Sequence, residues 1–111
     1  MENNDKDLAP VEIDLNAAHS GKLDESWLGM FGSWVESILG AMFRGTSLPL
    51  NVRGTRTQVK SFADTLQKEK KFIEAYHKHG LSNPKTYKSK AELKKATSKF
   101  ERSTGIKWPF K

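Results

Sequence analysis

The longest apolar run of the chain extends from Ser26 to Phe43 and contains a single charged residue, Glu36. Its large apolar residues recur at spacings of three, four and seven, which is the period of a helix with one apolar side. Small residues recur every four positions on another side, where a second backbone could approach closely. The run therefore predicts one long helix with a bulky face and a thin face.

We expect this helix to be an interface with other protein chains. The run is strongly apolar, and a chain of 111 residues is expected to cover only part of it. Assembly with neighbouring chains, as a homo-oligomer or a ring, would cover the rest. The expected interface residues are Trp27, Gly29, Phe31, Ser33, Trp34, Ser37, Ile38 and Ala41.

A membrane-spanning role for the same run is disfavoured by its composition. A spanning helix needs about 20 predominantly apolar residues. Residues 26–43 include three glycines, three serines and Glu36, and a charge is costly inside hydrocarbon. A membrane-active module is therefore the third alternative for the chain, behind protein assembly and nucleic-acid binding.

Charge divides the chain into two unlike halves. The net charge is +6, but residues 1–50 carry −5 and residues 51–111 carry +11. Such asymmetry indicates two surfaces with different partners, and the basic half favours a polyanion or an acidic protein face. The alternative is that the lysines only form a solvated face.

The first half of the chain divides into three segments. Residues 1–22 are predicted to be an acidic, extended arm, in which the alternating sequence VEIDL from Val11 suits a strand added to a partner's sheet, or else a short helix. Residues 23–44 are the apolar assembly helix, with Asp24 as the expected N-cap. Residues 45–54 are predicted to be a linker.

Residues 55–111 are predicted to be a basic helical hairpin. The first helix is capped by Thr55 or Thr57 and ends at Gly80. Asn83 and Pro84 then predict a single helical turn that reaches Tyr87.

The second helix of the hairpin is predicted to begin at Ser89. Ser89 and Glu92 have the spacing of a capping box, and Gly105 would close the helix. Trp108 precedes a proline and is therefore expected to be extended. Together with Phe110 it is predicted to plug the end of the hairpin. The fold class is thus mostly α: an extended N-terminal arm, one apolar helix, then a basic hairpin with an extended C-terminal tail.

The basic residues of the hairpin avoid most of its apolar positions. Lysine is a point charge on a flexible stem, which suits phosphate contact without base reading. No helix-turn-helix, zinc-finger or RNA-recognition pattern is present, so sequence-specific readout is not expected. The face expected to meet a polyanion or an acidic partner comprises Lys71, Lys78, Lys88, Lys94, Lys95, Lys99 and Arg102, and the wider stripe adds Lys68, Lys85 and Lys90.

No catalytic, cofactor or metal site is predicted. The chain has no cysteine, so disulfides and thiolate ligands are excluded. His77 and His79 are two positions apart on a helix and therefore point to different sides. No serine, threonine or lysine is accompanied by a recognisable base, and no phosphate-binding loop is present. The sequence favours a protein that is not an enzyme.

The motifs GLSNPKTY and FERSTGIKWPF resemble those of small virion-associated proteins of tailed bacteriophages. The resemblance covers residues 54–111 at most. It implies a structural protein present in many copies on a capsid, portal or tail component, in the virion or the host cytoplasm. No binding residue follows from it.

The leading hypothesis from the sequence is a non-enzymatic assembly protein that binds other chains of a large assembly. The alternative is an accessory protein that binds nucleic acid without sequence preference through its basic half. Between these two, the sequence favours an acidic protein surface as the partner of the basic face, because the hairpin lacks a groove-reading element and the apolar helix is expected to require protein neighbours.

Overall fold

The computed structural model describes residues 11–18, 21 and 23–110. The described elements, in chain order, are β1 (Val11–Asp14), α1 (Glu25–Arg44), β2 (Leu50–Arg53), α2 (Arg56–His79) and α3 (Pro84–Thr104). The prediction of a mostly helical chain is confirmed. Most of the predicted arm, residues 1–10 together with 19, 20 and 22, lies outside the described residues.

The helix ends follow local side-chain signals. Asp24 caps α1 by accepting a 2.8 Å hydrogen bond from the Trp27 amide, and Gly45 ends the helix with a φ of 69°. Thr55 caps α2 through a reciprocal pair of bonds with Gln58. Such caps satisfy amide groups that have no partner within the helix. Of the two caps proposed for α2, Thr55 is therefore the one used.

The predicted break after Tyr87 is wrong, because α3 runs without interruption from Pro84 to Thr104. Asn83 caps it, accepting a 2.9 Å bond from the Lys85 amide. The first turn is fixed to α2 by Thr86, whose hydroxyl donates to the carbonyls of Gly80 at 2.7 Å and Ala75 at 3.2 Å. No glycine or proline follows Pro84 until the helix has ended, so the helix continues through the Ser89 capping-box motif.

Val11–Asp14 of the segment VEIDL form a strand, which was one of its two interpretations, and one edge of this strand is paired within its own chain. It pairs in parallel with β2, in the register Val11 with Leu50 and Ile13 with Val52. The Val11 amide also donates to the Pro49 carbonyl at 2.9 Å. Residues 45–54 were predicted to be only a linker, and they contain this second strand. A pairing between segments so far apart leaves no local signal in the sequence.

The core lies between α1 and the hairpin of α2 and α3. Phe31 of α1 stacks on Phe100 of α3 with ring centres 6.0 Å apart, and it meets Phe62 of α2 at the same distance. Trp108 of the tail approaches Phe100 edge-on at 5.3 Å. Offset and edge-to-face pairs of this kind add to the energy of burial. Ile13, from β1, closes the core beside them.

The chain itself covers the middle of the bulky face of α1. Phe31 and Val35 are fully buried, and Ile38 and Leu39 are each 6% exposed. Trp27 and Trp34 are only half-buried, and Leu28, Met30 and Phe43 of the same helix are 37%, 50% and 44% exposed, so part of the apolar surface of α1 stays uncovered, as expected. β1 and the tail supply the additional covering surface, which the hairpin alone would lack.

None of the described helices is both long enough and apolar enough to cross a membrane.

Candidate functional site

A basic groove follows the hairpin on the side of α2 and α3 that faces away from α1. Four adjoining surface concavities make up the groove and share lining residues such as Arg102 and Glu92; three lie between α2 and α3, and one is lined by α3 alone. Its acidic members are Asp64 and Glu92. Its basic members are Arg56, Lys60, Lys68, Lys71, Lys85, Lys88, Lys94, Lys95, Lys99 and Arg102.

Helical spacing places these side chains on one surface. On α2, Lys60, Asp64 and Lys68 recur every four residues, on the side opposite the buried Phe62. On α3, Lys88, Lys95, Lys99 and Arg102 recur at intervals of three, four and seven, away from Phe100. Packing Phe62 and Phe100 against α1 therefore turns both rows of cations outward, side by side.

The groove carries a large excess of positive charge. Asp64 lies 4.0 Å from Lys68, a long and half-exposed ion pair that contributes little stability. No other groove cation lies within 4.0 Å of a carboxylate belonging to a described residue. Charges held so close together raise the local positive potential and attract extended anions.

Hydroxyl groups and a helix terminus add donors to one end of the groove. Arg56 and Thr57 lie in the first turn of α2 and line the groove beside Ser61 and Ser103. The first amides of a helix and its positive dipole end favour anions. This end of the groove therefore offers hydrogen-bond donors as well as positive charge.

Most of the predicted basic face lies in this groove. Six of its seven residues line it: Lys71, Lys88, Lys94, Lys95, Lys99 and Arg102. Lys78 does not, because it faces a separate concavity. Arg56 and Lys60 were missed, although Arg56, Lys60 and Asp64 recur every four residues, which was a usable signal. Of the wider stripe, Lys90 lines none of the four concavities.

The fold buries some of the predicted interface residues of α1 and leaves others exposed. Phe31, Ile38 and Ala41 are buried in the chain's own core, so they present no surface to a partner. Trp27 and Trp34 are half-buried, and their rings meet edge-on at 5.9 Å. The small residues on the opposite side of the helix are exposed, namely Gly29, Ser33 and Ser37.

A separate concavity, outside the basic groove, lies between the C-terminal ends of α1 and α2. Phe43, His77, Lys78 and His79 line it together with Glu74. Within the described part of the chain, no group of three histidine, aspartate or glutamate side chains is placed to hold a metal ion.

The tail residues predicted to plug the hairpin lie against the core. Trp108 is 5% exposed and Phe110 packs against the same cluster. The Trp108 amide donates a 2.9 Å bond to Glu101, and its indole nitrogen donates a 2.8 Å bond to Glu69. Burial raises the pKa of the Glu69 carboxyl above its ordinary value, and the bond from Trp108 partly opposes that rise.

No protein-family model matches the chain, no curated protein matches its sequence, and no solved structure matches it.

Proposed function

We propose that the protein is a non-enzymatic binding protein that holds the phosphate backbone of a nucleic acid in the basic groove, without reading its sequence. One observation supports this most directly: the four adjoining concavities of the groove are lined by ten basic side chains against two acidic ones. Lysine contacts to phosphate supply affinity that does not depend on base identity.

The length of the groove suits an extended anion. Between Lys85 and Arg102 the helix rises by about 26 Å, at roughly 1.5 Å per residue. Duplex DNA carries one negative charge per roughly 1.7 Å of its axis, so many phosphates could be contacted at once. A compact anion would use only a small part of such a surface.

Nucleic acid is preferred here to an acidic protein surface because the reason for favouring protein has weakened. That preference depended on two arguments: the hairpin has no element that reads a nucleic-acid groove, and the apolar helix was expected to need protein neighbours. Phe31 and Val35 of that helix are fully buried within the chain. A bound anion would account for the excess positive charge of the groove, and the alternative is that its lysines only form a solvated face.

The test is salt-dependent binding of unrelated duplex DNA sequences. Replacing Lys95, Lys99 and Arg102 together by glutamine should weaken binding to every sequence alike. The wild-type slope of log affinity against log salt should be near −0.9 per phosphate neutralised, and the triple variant should show a shallower slope. Affinity that differs strongly between sequences, or no binding at low salt, would contradict the proposal.

A matched control removes the same charge elsewhere. Lys78, Lys90 and Lys107 line none of the four groove concavities. Their triple replacement by glutamine should lower affinity only slightly, through the change in net charge. An equal loss in both triple variants would show that total charge matters and that the groove does not.

A second candidate function is assembly with other protein chains through the outer face of α1. The observation that favours it is that Gly29, Ser33 and Ser37 are exposed beside Met30, which is 50% exposed. Small residues permit close approach of a neighbouring helix. The resemblance of residues 54–111 to virion-associated proteins supports placing such an assembly in a virion, and its test is the mass of the protein in solution.

A further inference from the structure

Tyr87 of α3 is the most exposed aromatic side chain of the described residues, at 62%. Phe43 and Tyr76 follow, each 44% exposed, and both have a partner. The ring of Phe43 lies 5.4 Å from the Lys70 ammonium, and the ring of Tyr76 lies 5.5 Å from that of His77. Within the described part of the chain, Tyr87 has no comparable partner. Its ring is therefore the aromatic surface most available to a ligand.

Tyr87 belongs to a row of α3 residues that runs into the groove. Ala91, Lys94 and Ser98 follow it at intervals of four, three and four, so all four residues lie on one side of the helix. The three that follow Tyr87 line the concavity formed by α3 alone. Tyr87 lies one turn before Ala91, and it therefore extends this row beyond the N-terminal end of the concavity.

A parallel row on the same exposed side of α3 carries positive charge. Lys88, Lys95 and Arg102 recur every seven residues, are exposed and line the same concavity. Glu92 is the acidic residue of this concavity, and the helical period places it on the side of the cation row away from Tyr87. The surface of α3 thus has cations along one side and, along the other, an aromatic ring followed by small residues and a lysine.

This division matches the two chemically different sides of a single nucleic-acid strand. Its phosphates bind cations, and its unpaired bases stack on exposed aromatic rings. Such stacking tolerates any base, because every base has a π-face, so it agrees with binding that does not read sequence. In a duplex the bases are already paired and stacked on one another, so Tyr87 would reach none of them without opening the helix.

We infer that Tyr87 stacks on an unpaired base of a nucleic-acid strand whose phosphates lie along Lys88, Lys95 and Arg102. This inference rests on the proposed function, since it specifies the form of nucleic acid that the groove takes. Single strands, or unpaired segments of a longer nucleic acid, gain a contact that a duplex lacks.

The experiment compares two single strands of DNA on the full chain, at equal length and salt. One strand carries thymine at every position, and the other has the same phosphates but an abasic sugar at every position. Tyr87→Ala should weaken binding of the thymine strand by about fivefold or more and leave binding of the abasic strand unchanged. Tyr87→Phe keeps the ring, so it should bind the thymine strand as the wild type does.

Tyr76→Ala is the matched control, because it removes an exposed tyrosine that lines none of the four groove concavities. It should change the affinity for neither strand. A DNA duplex is the second control, and it should bind the wild type and Tyr87→Ala equally. Both tyrosines are exposed, so thermal unfolding can verify that the variants fold.

The failure of the inference is distinguishable from the failure of the proposed function. Absence of wild-type binding to the duplex and to both strands would overturn the proposed function. A smaller loss in Tyr87→Ala, or an equal loss for the abasic strand or the duplex, would overturn only the inference. The same holds for a Tyr87→Phe variant as weak as Tyr87→Ala, and for an equal loss in Tyr76→Ala.

Discussion

The indole nitrogen of Trp108 donates a 2.8 Å hydrogen bond to the Glu69 carboxylate, which joins the C-terminal tail to the middle of α2. Both side chains are about 5% exposed. The tail is thus held by a polar bond inside an otherwise apolar cluster of aromatic rings.

Trp108→Ala should lower the free energy of unfolding by about 3–5 kcal/mol, because it removes a buried ring and leaves a cavity. Trp108→Phe keeps a ring but leaves the Glu69 carboxylate without its donor, so it should cost about 1–3 kcal/mol. Denaturant unfolding measures both. Lys107→Ala, at an exposed position of the same tail, is the control and should change little. An unchanged midpoint in Trp108→Ala would show that the tail does not contribute to the fold.

Glu69 should make stability depend on pH in a direction opposite to that of an ion-paired carboxylate. Its pKa is raised by burial above the ordinary value of 4.5, so the folded state keeps the proton to a higher pH than the unfolded state does. The contribution of Glu69 to the free energy of unfolding is fully present below pH 4.5, and it is lost as the pH rises through the folded-state pKa.

Glu69→Gln isolates this effect, because glutamine is neutral throughout and its oxygen can still accept the bond from Trp108. The stability of the variant minus that of the wild type should increase as the pH rises through the same window. Melting temperatures of both proteins, measured in steps from about pH 4 to pH 8, give the difference. A constant difference would contradict the assigned pKa direction.

Ile13→Ala tests whether β1 belongs to the fold of its own chain. Ile13 is 1% exposed and contributes to the core cluster, so the substitution should cost about 2–5 kcal/mol of unfolding free energy. Glu12→Ala changes the neighbouring exposed residue of the same strand and should be nearly neutral. If both substitutions were neutral, the strand would not be docked in solution.

Ser33→Leu tests the second candidate function. Ser33 is exposed, so the stability of the isolated chain should change by less than about 0.5 kcal/mol. If α1 binds a second copy through its small residues, the wild type should sediment above the monomer mass and the variant at the monomer mass. Ser47→Leu, also exposed but outside α1, is the control for added surface apolarity. A wild type that sediments as a monomer at all concentrations would remove the support for this candidate.

The sequence predicted most of the helix ends that short-range chemistry determines, but the Ser89 capping-box motif does not start a helix. Asp24, Thr55 and Asn83 were identified as candidate caps because a side-chain oxygen beside a helical pattern satisfies free amides. Gly105 was identified as a helix end because glycine tolerates the left-handed conformation common there, and it adopts that conformation. These signals lie within a few residues of the structure they determine.

The β1–β2 pairing could not be predicted in the same way. Val11 and Leu50 are paired across the whole of α1, and nothing in either strand identifies the other. The groove was partly predictable, since helical spacing puts Lys88, Lys95 and Lys99 on one face. Its second wall, with Arg56 and Lys60, depends on how α2 is rotated against α3, which only packing decides.

The contacts of Phe31 also determine when the protein can fold during its synthesis. The ring is covered by Phe62, Phe100 and Trp108, which are synthesised long after it. A nascent chain that has not yet reached Phe100 presents Phe31 to solvent, and β1 has no strand partner until β2 has left the ribosome. Folding is therefore expected to occur in one late, cooperative step, with the apolar helix open to chaperones until then.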